Sequence, residues 1–226
     1  MGNNSNHSTS KATRERQKAE RLGEERMNNQ GCLMKVVEYE KTEGIVVEFQ
    51  DKYKARVIVK YNEFAKGKVK NPYYPNMHGG MIGNKYPAKV NGKISKEYYI
   101  WKNMLIKCAN TYDLICCSEW KLFENFYEWL HEQDNVEKFL KGKRWVLCKD
   151  IVKDRVYSPD TCYLVPPKVS KLFEKQELNT DVPKRVLQEY KEHKERTIKR
   201  VAQEEFLNGN ITKECYNALI VYKVEV

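Results

Sequence analysis

The spacing of apolar positions changes near residue 95, and the chain reads differently on either side of that point. Before it, short β-branched and aromatic runs at 34–39 (MKVVEY), 45–49 (IVVEF) and 55–61 (ARVIVKY) are separated by the polar turns Lys-Thr-Glu-Gly and Gln-Asp-Lys. Runs of this length and spacing predict a three-stranded antiparallel meander. In the third run Arg56, Ile58 and Lys60 alternate with Val57, Val59 and Tyr61, which puts Arg56 and Lys60 on one face of their strand. After residue 95 the period is helical: Tyr98, Trp101, Met104, Leu105 and Cys108 fall on one face behind Ser95 as a cap. Trp120, Phe123, Tyr127 and Leu130 repeat the pattern after Ser118. These aromatic stripes read as core.

The remaining stretches fit around these two patterns. Residues 1–10 read as a disordered tail, and 11–26 (KATRERQKAERLGEER), with Glu20 followed by Glu24 and Arg26, as a charged, solvent-exposed helix. Residues 66–92 hold Gly67, Asn71-Pro72, Pro75, Gly79-Gly80, Gly83, Pro87 and Asn91-Gly92, the punctuation of a long glycine-rich loop. Two runs at 144–151 and 155–165 predict a β-hairpin or a β-loop-β unit, followed by a helix over 167–177. A charged helix from 182 to about 207, a short helix from Thr212 and a terminal strand at 221–226 complete the reading.

Charge changes the picture. Residues 52–96 hold ten lysines and Arg56 against the single acid Glu63, a balance of +10 that equals that of the whole chain. A basic stretch interleaved with tyrosines is the footprint of a surface that meets a polyanion. Lys54, Arg56, Lys60, Lys66, Lys68, Lys70 and Lys85 are the expected phosphate contacts, with Asn71, Tyr73 and Tyr74 reaching bases or sugar. The bland alternative is a solvated lysine-rich edge whose tyrosines belong to the core. No G-x4-G-K-[ST] loop is present, which leaves nucleotide hydrolysis without its usual phosphate cradle.

No apolar run approaches the roughly 18 to 20 residues of a membrane span, and the polar start MGNNSNHSTS lacks the apolar centre of an export signal. The expected location is the cytoplasm of a bacterial host, with no membrane partner. Seven cysteines, an odd number without C-x2-C spacing, read as reduced thiols rather than a disulfide framework. Burial as small apolar side chains stands beside the alternative of a zinc site built from Cys108, Cys117, Cys148 and Cys162. Cys148 beside Lys149 has the neighbour that lowers a thiol pKa, but no histidine lies near it in sequence.

At 101–108 (WKNMLIKC), 117–120 (CSEW), 123–126 (FENF), 147–150 (LCKD) and 157–162 (YSPDTC), the chain resembles phage and prophage proteins of the HNH endonuclease-like group. Over 36–71 it resembles a small three-stranded Apetala-type DNA-binding module, and the likeness extends through 216–226. The resemblance implies DNA contact, a phage setting and an α+β fold. It divides the chain into a charged tail and helix (1–30), a basic three-stranded β domain with a glycine-rich loop (31–96), a helical domain containing an HNH-like hairpin and helix (97–180), and a C-terminal helical extension (181–226).

An HNH nuclease needs a histidine beside its metal ion to draw a proton from the attacking water. The four histidines are His7, His78, His131 and His193, so none lies between residues 132 and 192. Asp150 stands at the position that the resemblance gives to that base, Cys148 replaces an aspartate and Ser170 an asparagine of the family pattern. A carboxyl near its reference pKa of about 3.9 is too weak a base. Asp150, Asp154 and Asp160 remain oxygen donors for magnesium should cleavage survive. Pro159-Asp160 also suits another nuclease motif, whose acid-x-lysine partner is missing at Glu174-Lys175-Gln176. The expectation is therefore a phage-encoded binder of duplex DNA with a degenerate, inactive HNH-like domain. Two alternatives are a magnesium-dependent endonuclease and a phage inhibitor of a host defence nucleoprotein complex, of the CRISPR or restriction type.

Overall fold

The computed structural model describes residues 11–40, 44–142, 145–173 and 183–225. The tail at 1–10, the turn residues 41–43, Arg144, the end of the 167–177 helix and Val182 lie outside them. Backbone contacts divide the chain between Tyr74 and Pro75, so residues 75–96, expected with the β domain, belong to the C-terminal unit.

The N-terminal unit is an antiparallel sheet with four strands rather than three. Helix α1 (Lys11–Arg21) is followed by β1 (Glu25–Met27), β2 (Leu33–Glu40), β3 (Gly44–Phe49) and β4 (Arg56–Val59), which pair in that order. The extra strand comes from the end of the expected charged helix. That helix stops before Gly23, whose φ of +87° is the left-handed value that ends helices. Glu25, Arg26 and Met27 then pair with Lys35, Met34 and Leu33. All three β1 side chains are exposed, so no buried face marks it in the sequence. β2 carries a bulge between Val36 and Glu38.

One sheet face is apolar: Met34, Val36, Ile45, Val47 and Phe49 close on Ala55, Phe64 and Val69. Phe64 comes from α2 (Tyr61–Ala65), a helix that the strand reading of 55–61 missed. The other face carries a cross-strand row, Glu25 opposite Lys35, Lys35 opposite Glu48, and Glu48 opposite Arg56. Lys35 pairs with Glu25 at 3.0 Å and Arg56 with Glu48 at 2.9 Å.

The C-terminal unit opens with a small hairpin, β5 (Lys89–Val90) and β6 (Lys93–Ile94), turning at Asn91-Gly92. Helix α3 (Lys96–Asn110) begins at Ser95, whose hydroxyl accepts the Tyr98 N–H as expected of a cap. Next come β7 (Ile115–Cys116), α4 (Phe123–His131) and α5 (Val136–Lys141). Tyr98, Trp101, Leu105, Trp120, Phe123, Phe126 and Leu130 form the first core, so the helical stripes are core as read. Trp101 donates its indole N–H to the Trp120 carbonyl at 2.6 Å, so the ring is buried without leaving its polar atom unpaired.

Of the two forms expected for 144–165, the β-loop-β unit is adopted rather than a tight hairpin. β8 (Val146–Cys148) pairs antiparallel with β10 (Tyr163–Val165), whereas β9 (Val156–Tyr157) pairs in parallel with β7. Thr161 bonds the Val156 carbonyl and Asp154 the Val156 N–H, folding residues 149–162 into a connection instead of a continuous strand. Helix α6 (Pro167–Ser170) follows, then α7 (Lys184–Leu207) and α8 (Lys213–Val221). Ile198, Val201, Ala202, Cys215 and Leu219 of these last helices pack on Cys148, Val165 and Val169, so 181–226 shares a core with the preceding segment. Among the described residues the terminal strand is not formed: Val221 ends α8, and the Val224 N–H bonds the Glu195 side chain at 3.1 Å.

Candidate nucleic-acid interface

From Lys66 to Asn71 the chain alternates strictly. Lys66, Lys68 and Lys70 are exposed, and Gly67, Val69 and Asn71 are buried. The inward positions are held by the turn at 28–32. Asn29 donates its N–H to the Gly67 carbonyl (2.8 Å), and Asn28 its side-chain amide to the Val69 carbonyl (2.9 Å). The Asn71 N–H reaches Gln30 Oε1 (2.9 Å), and its side-chain amide reaches Asp51 Oδ2 (2.7 Å). Gly67 has φ of +66°, and a Cβ there would lie 2.9 Å from Asn29 Oδ1. The turn is itself tied by Asn28 Oδ1, which accepts the N–H groups of Gln30 and Cys32.

The product is a ridge of three ammonium groups at every second residue, backed by satisfied hydrogen bonds. Among the described residues none of the three makes an ion pair or a side-chain hydrogen bond. Glu63, the sole acid of residues 52–74, gives its carbonyl to the Lys68 N–H and does not pair with the ridge.

The other expected contacts fare differently. Arg56 and Lys60 are both exposed, Arg56 on β4 and Lys60 at the start of α2. Arg56, however, is engaged by Glu48, whose carboxyl is held below its ordinary range by that hydrogen bond and by one from Gln50. Lys54 donates to Gln50 Oε1 at 2.8 Å. Asn71 is 4% exposed, and its Oδ1 accepts the Tyr73 N–H, so it is a strut of the ridge rather than a side chain free to reach a base. Tyr73 stacks on Tyr53 at 4.3 Å between centroids, with Lys52 Nζ 4.8 Å from the Tyr53 ring centre. Tyr74 is exposed.

Lys85 lies in the C-terminal unit, bound to Glu128, while Glu124 accepts the N–H groups of Asn84 and Lys85. The concentration of charge along the sequence is therefore not carried over to the units. Fifteen cations face ten acids in residues 1–74 and twenty-six face twenty-one in residues 75–226, so each unit carries +5. What marks the ridge is three exposed lysines at alternate positions, without an ion pair among the described residues, on a frame of buried, hydrogen-bonded positions.

The expected metal donors are dispersed in role. Asp150 pairs with Lys149 at 2.7 Å, Asp154 caps the Val156 N–H at 2.8 Å, and Asp160 borders a cleft with Glu132, Asp134 and Glu214. Among the described residues no group of three or more His, Cys, Asp or Glu side chains is placed to hold a metal ion. His131 lies on α4 against Tyr127, with Nε2 3.3 Å from Glu97 Oε1.

The Cys148 thiol moves opposite to the direction that its Lys149 neighbour alone would give. Burial pushes it up to about 11, and the thiols of Cys116 and Cys162 up to about 12. Cys215 is raised as well, again by burial. At pH 8 these four thiols are protonated, and native protein treated with a thiol reagent should label them only after unfolding. A raised folded pKa means that the native state keeps a proton that the unfolded chain releases. Their contribution to stability is complete below about pH 8.5 and is lost as pH rises toward 11, so the urea midpoint should be lower at pH 10 than at pH 8.

No family model, curated protein or solved structure significantly matches the chain.

Proposed function

We propose that the protein binds nucleic acid, with duplex DNA as its target, through the ridge Lys66, Lys68 and Lys70, assisted by Lys60 and the exposed Tyr74. The observation that carries this reading is the ridge itself: three unpaired ammonium groups on a buried, hydrogen-bonded frame. Solvated lysines on a mobile loop would need no such frame. Backbone phosphates are met by cations, and these three are exposed and carry no ion pair among the described residues. The reading assigns binding; the phage setting and the HNH likeness rest on the resemblance given above.

The test is an electrophoretic shift with duplex, single-stranded DNA and RNA across a salt series, with and without magnesium. Three to five neutralised phosphates give log affinity against log salt a slope of about −3 to −4.5 on duplex. Absence of a shift at low salt, or a slope near zero, would overturn the proposal. Nicking of plasmid in the magnesium arm, abolished by Asp150→Ala, would favour the nuclease alternative instead.

A further inference from the structure

We propose that the C-terminal unit holds a second site, a cleft that takes a nucleotide, between α3 and the segment running from β8 to α6. The cleft encloses about 600 Å³, within the range of small-molecule sites. Tyr99, Asn103 and Lys107 of α3 line it on one side, with Trp145, Ser170 and Lys171 among the other lining residues. A smaller cleft of about 270 Å³ continues from it and shares Tyr99, Ile100 and Trp145. Among the described residues no acidic side chain lines either one.

The helix makes this arrangement. Tyr98, Trp101 and Leu105 of α3 belong to the core, whereas Tyr99, Asn103 and Lys107 recur four residues apart on a different face. Tyr99 is 59% exposed, an unusual position for a large ring beside a half-buried tryptophan. Lys107 and Lys171 have neither an ion pair nor a side-chain hydrogen bond among the described residues.

Two aromatic rings offer stacking surfaces to a base, and the Asn103 amide offers both a donor and an acceptor to a base edge. The two lysines supply positive charge for phosphate. Tyr99 and Lys107 are eight residues apart, about 12 Å along the helix axis, comparable to the reach of a nucleoside diphosphate from base to outer phosphate. A purely apolar ligand would leave the lysines unused, and a bare anion would leave the rings uncovered. Base and phosphate together match the lining. The source is either a free nucleotide or one nucleotide of a single strand. This site does not depend on the ridge.

The test uses full-length protein carrying Lys66→Glu, Lys68→Glu and Lys70→Glu, so that the ridge contributes nothing. Adenosine diphosphate, a three-nucleotide deoxyadenosine strand and inorganic pyrophosphate are titrated by tryptophan fluorescence and calorimetry. Saturable binding of the diphosphate or the trinucleotide is expected, with pyrophosphate at least about tenfold weaker; whichever of the first two binds tighter identifies the source. Tyr99→Ala should weaken binding roughly tenfold, and Lys107→Glu with Lys171→Glu by at least as much, with the thermal midpoint unchanged. The inference is overturned if neither nucleotide binds below about 1 mM, if pyrophosphate binds as tightly as the diphosphate, or if Tyr99→Ala in folded protein leaves affinity unaltered.

Discussion

Duplex DNA is no longer retarded when Lys66, Lys68 and Lys70 are all replaced by glutamate, and the thermal midpoint of the same variant stays within about 2 °C of the parent. That is the largest binding effect the structure leads us to expect. Each neutralised phosphate contributes nearly one power of the salt concentration to affinity, close to tenfold at 0.1 M salt. Losing three such contacts costs at least about a hundredfold, and three new carboxylates facing the polyanion add repulsion. Stability should hold because the three side chains are exposed and form no ion pair among the described residues. Binding that survives the triple change would remove the ridge from the interface. A collapse of the thermal midpoint would make the lysines structural.

Asn28→Ala is the complementary experiment, since it alters no charge and should still damage both fold and binding. Asn28 is 5% exposed. Its amide group donates to the Val69 carbonyl, and its oxygen accepts the N–H groups of Gln30 and Cys32. Alanine would strand one buried carbonyl and two N–H groups, at about 1–3 kcal/mol each where water cannot reach them. We expect a loss of about 3 kcal/mol in urea unfolding, and an affinity loss of about tenfold at temperatures where the variant is still folded, because the ridge loses its central support. Asn28→Asp keeps the acceptor and should recover part of the stability. A variant as stable as the parent would show that the ridge is held by other means.

The three lysines and Asn28 illustrate what the sequence made legible. The lysines could be singled out because charge is additive and needs no partner to be noticed: eleven cations against one acid stand out in any fold. Nothing in the sequence singles out Asn28, since its role depends on a carbonyl forty-one residues away. The same reason explains Arg56 and Lys85. Their opposite charges, Glu48 and Glu128, lie eight and forty-three residues distant and are brought close by strand pairing and by packing on α4. Core positions were the most readable, because the period of Tyr98, Trp101 and Leu105 is a property of the helix alone. Strand β1 was not, as three exposed side chains have no buried face to repeat. The 144–165 region was partly legible: both outer strands form, but side-chain hydrogen bonds from Asp154 and Thr161 decide the path between them.

The row of alternating charges across the N-terminal sheet has one more consequence. An apolar face forbids a strand from slipping by one residue, since every side chain would change sides, but it is indifferent to a slip of two. Moving β2 by two positions would keep its core face inward yet carry Lys35 away from both Glu25 and Glu48. The ion pairs are exposed and worth little individually. Their value is discrimination: they penalise the one misalignment that hydrophobic patterning alone would tolerate.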